Sequence, residues 1–306
     1  MQYTLKEILV KHSLDPSRKF PERLDSRWKS NMVFPKLHPK FLFSDEDNTA
    51  FTIGSCFARN IEIELRKIGI SVPILEVPKI EYNGTANNLF NEYSPGTIAQ
   101  RIQWTVDKTM PPIGTMCETS AGWVDLLLHM DSSAVSYERC VERREQLFTF
   151  YEQMLEASFV VITLGHAETW FDVENNCYIN RAPLVMRRQA DRFLLKQLSL
   201  QEMLELLQPA LEKLTGLGKK VILTVSPQPL HSTFMLNTDA VIANELGKST
   251  LLCAATELAK MPNVDYFPSY EIVRSGGIEN YDLDGVHAKP EVTSKVVEYM
   301  INTYFN

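Results

Sequence analysis

Hydrophobic residues in this chain fall into short unbroken runs separated by longer stretches of helical spacing. The first run, Ala50-Phe-Thr-Ile-Gly54, is followed by apolar positions 57, 61, 65 and 68, one face of a helix. Strand, sharp turn and helix are predicted there, with Ser55 at the turn. The alternation recurs. A helix over about 136–157 precedes Phe159 to Leu164, a helix over 199–214 precedes Lys220 to Val225, and a helix over 239–260 precedes Val264 to Phe267. A last helix starts at Pro290, proline being favoured at the first helical position. Unbroken apolar strands between long helices predict a layered α/β fold with a mostly parallel sheet covered on both faces, because such strands are buried on both sides. Residues 1–45 carry Pro16, Pro21, Pro35 and Pro39 and no sustained apolar period. They read as an N-terminal arm, pinned by Phe34, Phe41 and Phe43 to a single domain over 46–306. The stretch 175–198 reads as a loop or small hairpin over the sheet.

Charge narrows the possible partners. With 31 Lys+Arg against 38 Asp+Glu the formal net charge is −7, and no basic run is longer than Arg143-Arg144 or Arg187-Arg188, so nucleic acid is not expected. The opening Met1-Gln-Tyr-Thr-Leu-Lys-Glu-Ile is charged where a signal peptide needs an apolar core, and the apolar runs are strand-sized. Neither secretion nor a membrane span is expected. Five cysteines, an odd number without a C-x-x-C pair, suit free thiols in a reducing compartment, and a cytoplasmic location follows. A chain of 306 residues buries roughly 75% of its unfolded surface, so its core needs neither metal nor disulfide.

No cofactor is predicted. There is no G-x-G-x-x-G, and Gly247-Lys248-Ser249 has Ile242 where a phosphate-binding loop needs its first glycine. A metal could be imagined on Asp282, Asp284 and His287, or on His166 and Glu168. The latter H-x-E lacks the P-C-x-x-C partner of zinc deaminases, and no metal site is expected.

In an open parallel sheet, chemistry gathers at the carboxyl ends of the strands. Those ends carry Gly54-Ser55, Gly165-His166-Ala167-Glu168 and Ser226-Pro227-Gln228-Pro229. Ser55 stands at a helix N-terminus, where it is either a simple N-cap or a nucleophile beside backbone N–H groups able to hold an oxyanion. Near the C-terminus, Asp284 and His287 are three apart, close enough for the carboxylate to hold one imidazole nitrogen and leave the other as a base. Cys56 is the rival nucleophile. The next residue on a helix points about 100° away, so Ser55 and Cys56 cannot both face His287.

A serine after the first core strand and a D-x-x-H before the last helix together resemble the SGNH (GDSL-like) hydrolase superfamily. Gly54-Ser55-Cys56-Phe57-Ala58 spells the name-giving motif of its GSCFA family. Further similar pieces are Tyr82-Asn83 with Asn87-Asn88, Gly165-His166-Ala167-Glu168, Val225-Ser226-Pro227-Gln228-Pro229-Leu230 and Asp284-Gly285-Val286-His287. The resemblance implies a three-layer α/β/α sandwich with a mostly parallel central sheet and a catalytic triad, with Ser55 as nucleophile, His287 as general base and acid, and Asp284 orienting the imidazole. The superfamily's third motif reads G-x-N-D/E, and this chain has Ala167 in place of the asparagine. The missing oxyanion donor would come from Asn87 or Asn88 with the Gly84 backbone, or from His166, beside the N–H of Ser55 or Cys56. Glu168 either orients a loop or holds His166. Trp170 and Phe171 are candidates for a cleft wall, Gln228 and His231 for substrate contacts.

The function expected from the resemblance is serine-dependent hydrolysis of a small-molecule or glycan ester, with a carbohydrate-linked acyl substrate favoured. Acyl transfer to a glycan, or a non-catalytic binding protein that keeps the fold, are the alternatives.

Overall fold

The computed structural model describes residues 2–12, 15–77 and 86–305. From residue 50 the strands are β1 (Ala50–Gly54), β2 (Met116–Thr119), β3 (Gly122–Asp125), β4 (Phe159–Leu164), β5 (Glu168–Asp172), β6 (Cys177–Ile179), β7 (Phe193–Gln197), β8 (Lys220–Val225) and β9 (Val264–Phe267). The main helices over the same span are α1 (Cys56–Lys67), α2 (Pro95–Asp107), α3 (Tyr137–Tyr151), α4 (Leu200–Gly216), α5 (Ala240–Leu258), α6 (Ser269–Ser275) and α7 (Pro290–Tyr304). Ser136, Ser199 and Asp239 cap α3, α4 and α5 with their side chains, and Glu202 completes a capping box with Ser199.

Strands β1, β4, β8 and β9 form one parallel sheet in that spatial order. Alternate side chains explain the unbroken apolar runs. Phe51, Ile53, Val160, Ile162, Val221 and Leu223 enter the core under α2, α4 and α5, whereas Ala50, Phe159, Val161, Ile222 and Phe267 enter the core under α1 and α7. Helices thus cover both faces, and the protein is a mixed α/β fold around a parallel sheet.

The N-terminal residues pack on the α1/α7 side. Phe43 stacks on Phe159 with ring centroids 4.1 Å apart, its N–H donates to Tyr304 O at 2.8 Å, and Phe34 meets Tyr299 edge-on at 5.1 Å. Phe41 lies 5.7 Å from the Tyr304 ring. Among the described residues no helix is long and apolar enough to cross a membrane.

Two regions depart from the sequence expectation. Residues 175–198, expected as a loop or small hairpin, contribute β6 and β7 to a three-stranded antiparallel sheet ordered β6-β5-β7, in which both pair with Glu168–Asp172 rather than with each other. Its strands are short and mixed in polarity, so neither alternation nor an apolar run marks them. Residues 95–125, for which no element was predicted, form α2 and the β2–β3 hairpin. The antiparallel sheet follows β4 in the chain, and its Trp170, Ile179 and Leu195, with Thr97 of α2, line the cavity described below.

Gly54 makes the turn into α1 possible. Its φ is +142°, and a Cβ there would stand 2.2 Å from Thr163 O on the neighbouring strand. Gly54→Ala is therefore expected to lower the unfolding free energy by more than about 1 kcal/mol and to displace Ser55. Urea denaturation followed by circular dichroism would check it; an unchanged midpoint would refute the close-approach account.

Candidate active site

Ser55 ends β1 and begins α1, in extended backbone geometry (φ −69°, ψ 176°). Its side chain makes no capping hydrogen bond, and its Oγ is buried without any hydrogen-bond partner. The N-cap explanation of this serine therefore has no support in the geometry. A buried hydroxyl left unsatisfied is costly, and native proteins keep few of them. The Ser55 backbone N–H donates to Thr163 O at 3.2 Å, which removes it from the expected oxyanion donors. Cys56 N–H, the first of the helix, has no carbonyl one turn before it.

The Cys56 side chain is engaged elsewhere. Its thiol donates to Gln228 Oε1, and burial pushes its pKa up, so it is held as the neutral thiol. That environment disfavours a cysteine nucleophile.

Asp284 and His287 sit on a loop closed by the Tyr281–Ala288 bridge and tied to the β8 end by Tyr281 Oη donating to Pro227 O at 3.0 Å. His287 Nδ1 donates to Asp284 Oδ2 at 2.6 Å. The other carboxylate oxygen accepts from Val286 N at 2.9 Å and His287 N at 3.0 Å. The His287 side chain and these two backbone donors hold the Asp284 carboxyl well below the usual carboxylate range. Both side chains are exposed, at 57% for His287 and 46% for Asp284, so solvent reaches the pair.

Ser55 and His287 line one cavity of about 370 Å³. It also receives Cys56, His166, Glu168, Trp170, Gln228 and His231 among the residues singled out from the sequence. Ser55 Oγ and His287 are not hydrogen-bonded in this structure. Phe171 packs instead on Tyr178 (centroids 5.1 Å apart) and under Lys196 Nζ at 4.3 Å, away from the cavity lining. Asn88 is not among the lining residues. Gly84 and the side chain of Asn87 lie outside the described residues.

His166 follows β4, and its ring stacks on Tyr93 at 5.3 Å and 14°. Burial and the nearby Lys248 charge bring its pKa down to about 3, so it enters the cavity as a neutral imidazole. Glu168 does not hold His166. Its carboxylate accepts from Thr233 Oγ1 and from Phe234 N (3.0 Å), latching the loop after β8 against β5.

Several lining residues had not been singled out from the sequence. Tyr93 O accepts from both Gly165 N and His166 N at 2.9 Å, and Tyr93 Oη lies 2.9 Å from His129 Nε2. A Cβ at Gly165 would stand 2.9 Å from Tyr93 O and 3.2 Å from Ser55 Cβ. Only glycine lets these segments meet beside the serine. Asn180, after β6, lines the cavity and donates its amide to Asn91 O.

Behind the cavity Lys248, on α5, is 2% exposed, and its Nζ donates to Gly165 O and Ser226 O, both at 2.8 Å. It ties together the two chain segments that leave β4 and β8. Burial brings its pKa down to about 7, with the Glu245 charge only partly offsetting it. An unfolded lysine stays protonated to about pH 10, so between roughly pH 7 and 10 the unfolded chain binds the extra proton and stability rises with pH, by up to about 1.4 kcal/mol per unit. A neutral amine still has two N–H groups for the two carbonyls. Lys248→Met should remove this slope: wild-type minus variant unfolding free energy is expected to grow from pH 7 to 9 in chemical denaturation. Parallel curves would contradict it.

Among the described residues no group of three or more His, Cys, Asp or Glu side chains is placed to hold a metal ion.

A search of curated proteins finds no match. Among solved structures the chain is similar to a GDSL-like lipase from Bacteroides thetaiotaomicron, at 13% identity over 85% of this chain and 91% of that one, with a TM-score of 0.39. That likeness is too distant to bear on the chemistry. The model of the GSCFA family matches residues 49–304, which takes in β1, the Ser55 turn, the Asp284–His287 loop and all of α7. The chain belongs to the GSCFA family.

Proposed function

We propose that this chain is a serine-dependent ester hydrolase working through an acyl-Ser55 intermediate. One observation carries the proposal: a buried serine Oγ with no hydrogen bond, at a helix N-terminus, opens into the same cavity as an imidazole already held by a carboxylate. Ser55 Oγ attacks the ester carbonyl while His287 Nε2 takes its proton. Asp284 keeps the tautomer with Nδ1 protonated and stabilises the imidazolium. His287 then protonates the departing alkoxide, and a water activated by the same nitrogen releases the acid. Because Ser55 and His287 are not hydrogen-bonded here, substrate binding must bring them together, as unliganded sites commonly require.

The oxyanion is assigned to Cys56 N–H and to His166, whose neutral ring can donate a hydrogen bond from the cavity wall. This replaces the asparagine that Ala167 cannot supply. Hydrolysis is preferred over transfer to a glycan hydroxyl because His287 is open to solvent, so water reaches the base. A carbohydrate-linked substrate has less support than an acyl one, since apolar side chains (Trp170, Ile179, Leu195, Phe234) make up much of the lining.

A fluorophosphonate probe tests the reading. Wild type is expected to be labelled at about pH 8 and Ser55→Ala not, with His287→Ala strongly slowed. An unlabelled wild type would favour a binding protein that keeps the fold.

A further inference from the structure

The strongest unassigned feature is the apolar end of the cavity. Trp170 on β5, Ile179 on β6 and Leu195 on β7 present one wall, and Phe234 closes it edge-on to Trp170 with centroids 5.4 Å apart. The Glu168 latch on Thr233 and Phe234 holds that closure in place. At about 370 Å³ the cavity has the volume of roughly a dozen water-sized groups. An acetyl group would leave most of it empty. No lysine or arginine is among the described lining residues, so nothing there matches a carboxylated or phosphorylated acyl group.

We infer that this end takes an unbranched, uncharged acyl chain of medium length, of the hexanoyl to octanoyl class. The inference rests on the ester-hydrolase reading for the placement of the carbonyl at Ser55. Its physical basis is separate: each methylene moved from water onto these side chains favours binding by about fourfold. Trp170 and Phe234 are then specificity determinants, and Glu168 is a positioning residue acting through the loop.

Two measurements test it. In the first, kcat/KM is measured for p-nitrophenyl acetate, butyrate, hexanoate and octanoate. Hexanoate is expected to exceed acetate by on the order of 10²-fold, and Trp170→Ala to reduce that ratio by about 10-fold or more. Phe234→Ala, at an exposed loop position, should reduce it in the same direction. In the second, methyl alkyl ketones of increasing chain length are titrated into Ser55→Ala and followed by tryptophan fluorescence. Affinity should rise with length up to the hexanoyl to octanoyl range. Ser55-dependent turnover with a flat or acetate-favouring profile would overturn the chain-length inference and leave the hydrolase standing. Length-dependent binding without any Ser55-dependent turnover would overturn the hydrolase and keep the apolar site. Ketone binding independent of length would overturn the site itself.

Discussion

Ser55→Ala is expected to lower kcat for ester hydrolysis by about 10⁴-fold or more, with KM little changed, because the residual rate then comes only from binding and the oxyanion donors. The same substitution should leave thermal stability unchanged or slightly raised. Ser55 Oγ makes no hydrogen bond and does not cap α1, so removing it deletes an unsatisfied buried hydroxyl and no structural contact. Loss of activity together with retained Tm separates a catalytic serine from a structural one. His287→Ala should fall to a similar residual rate, and the double variant no further, because the two act as one unit. Steady-state assays with scanning calorimetry on the three proteins would show this; independent, multiplying losses would contradict it.

The largest effect on stability is expected from Arg144→Met. Arg144 on α3 donates Nε and Nη2 to the two Asp125 carboxylate oxygens, at 2.8 and 2.6 Å, and reaches Thr115 Oγ1 at 2.6 Å and Pro112 O at 2.5 Å. Both partners of this ion pair are almost wholly buried. Removing the guanidinium leaves the Asp125 carboxylate without its counter-charge away from water, a change that costs about 3–5 kcal/mol. The β2–β3 hairpin leads directly into Leu126 to Met130, so loosening it also disturbs His129 and Met130 at the cavity. Chemical denaturation should show the loss, and replacing Asp125 and Arg144 together by apolar residues of similar volume should recover much of it. A double variant as unstable as Arg144→Met would mean that packing, not the stranded charge, sets the cost.

The parallel sheet was legible in the sequence because β1, β4 and β8 are buried on both faces, which forces nearly every position to be apolar. The Ser55 turn was legible for a related reason: Gly54 permits the positive φ, and α1 begins one residue after Ser55. Asp284 and His287 are local in sequence, so their pairing could be read from spacing alone. The cavity walls could not. Trp170, Ile179 and Leu195 come from three short strands whose partnership is non-local, and Glu-Thr-Trp-Phe-Asp shows neither alternation nor an apolar run. Tyr93 and His129 are single residues brought together by tertiary packing. One signal for their neighbourhood was present in Ser94-Pro95, an N-cap followed by proline at the first helical position, which marks the start of α2 directly after Tyr93. The conflict over Ala167 was visible from the motif, and the proposal gives the donor's place to the stacked, neutral His166.

The covalent intermediate is the centre of the account. Wild-type protein mixed with p-nitrophenyl hexanoate, quenched in acid within the first turnovers and digested, should yield the peptide containing Ser55 heavier by one hexanoyl group, with His287→Ala trapping it more slowly and Ser55→Ala not at all. An acyl group found on Cys56, or ester turnover that continues unchanged in Ser55→Ala, would contradict it.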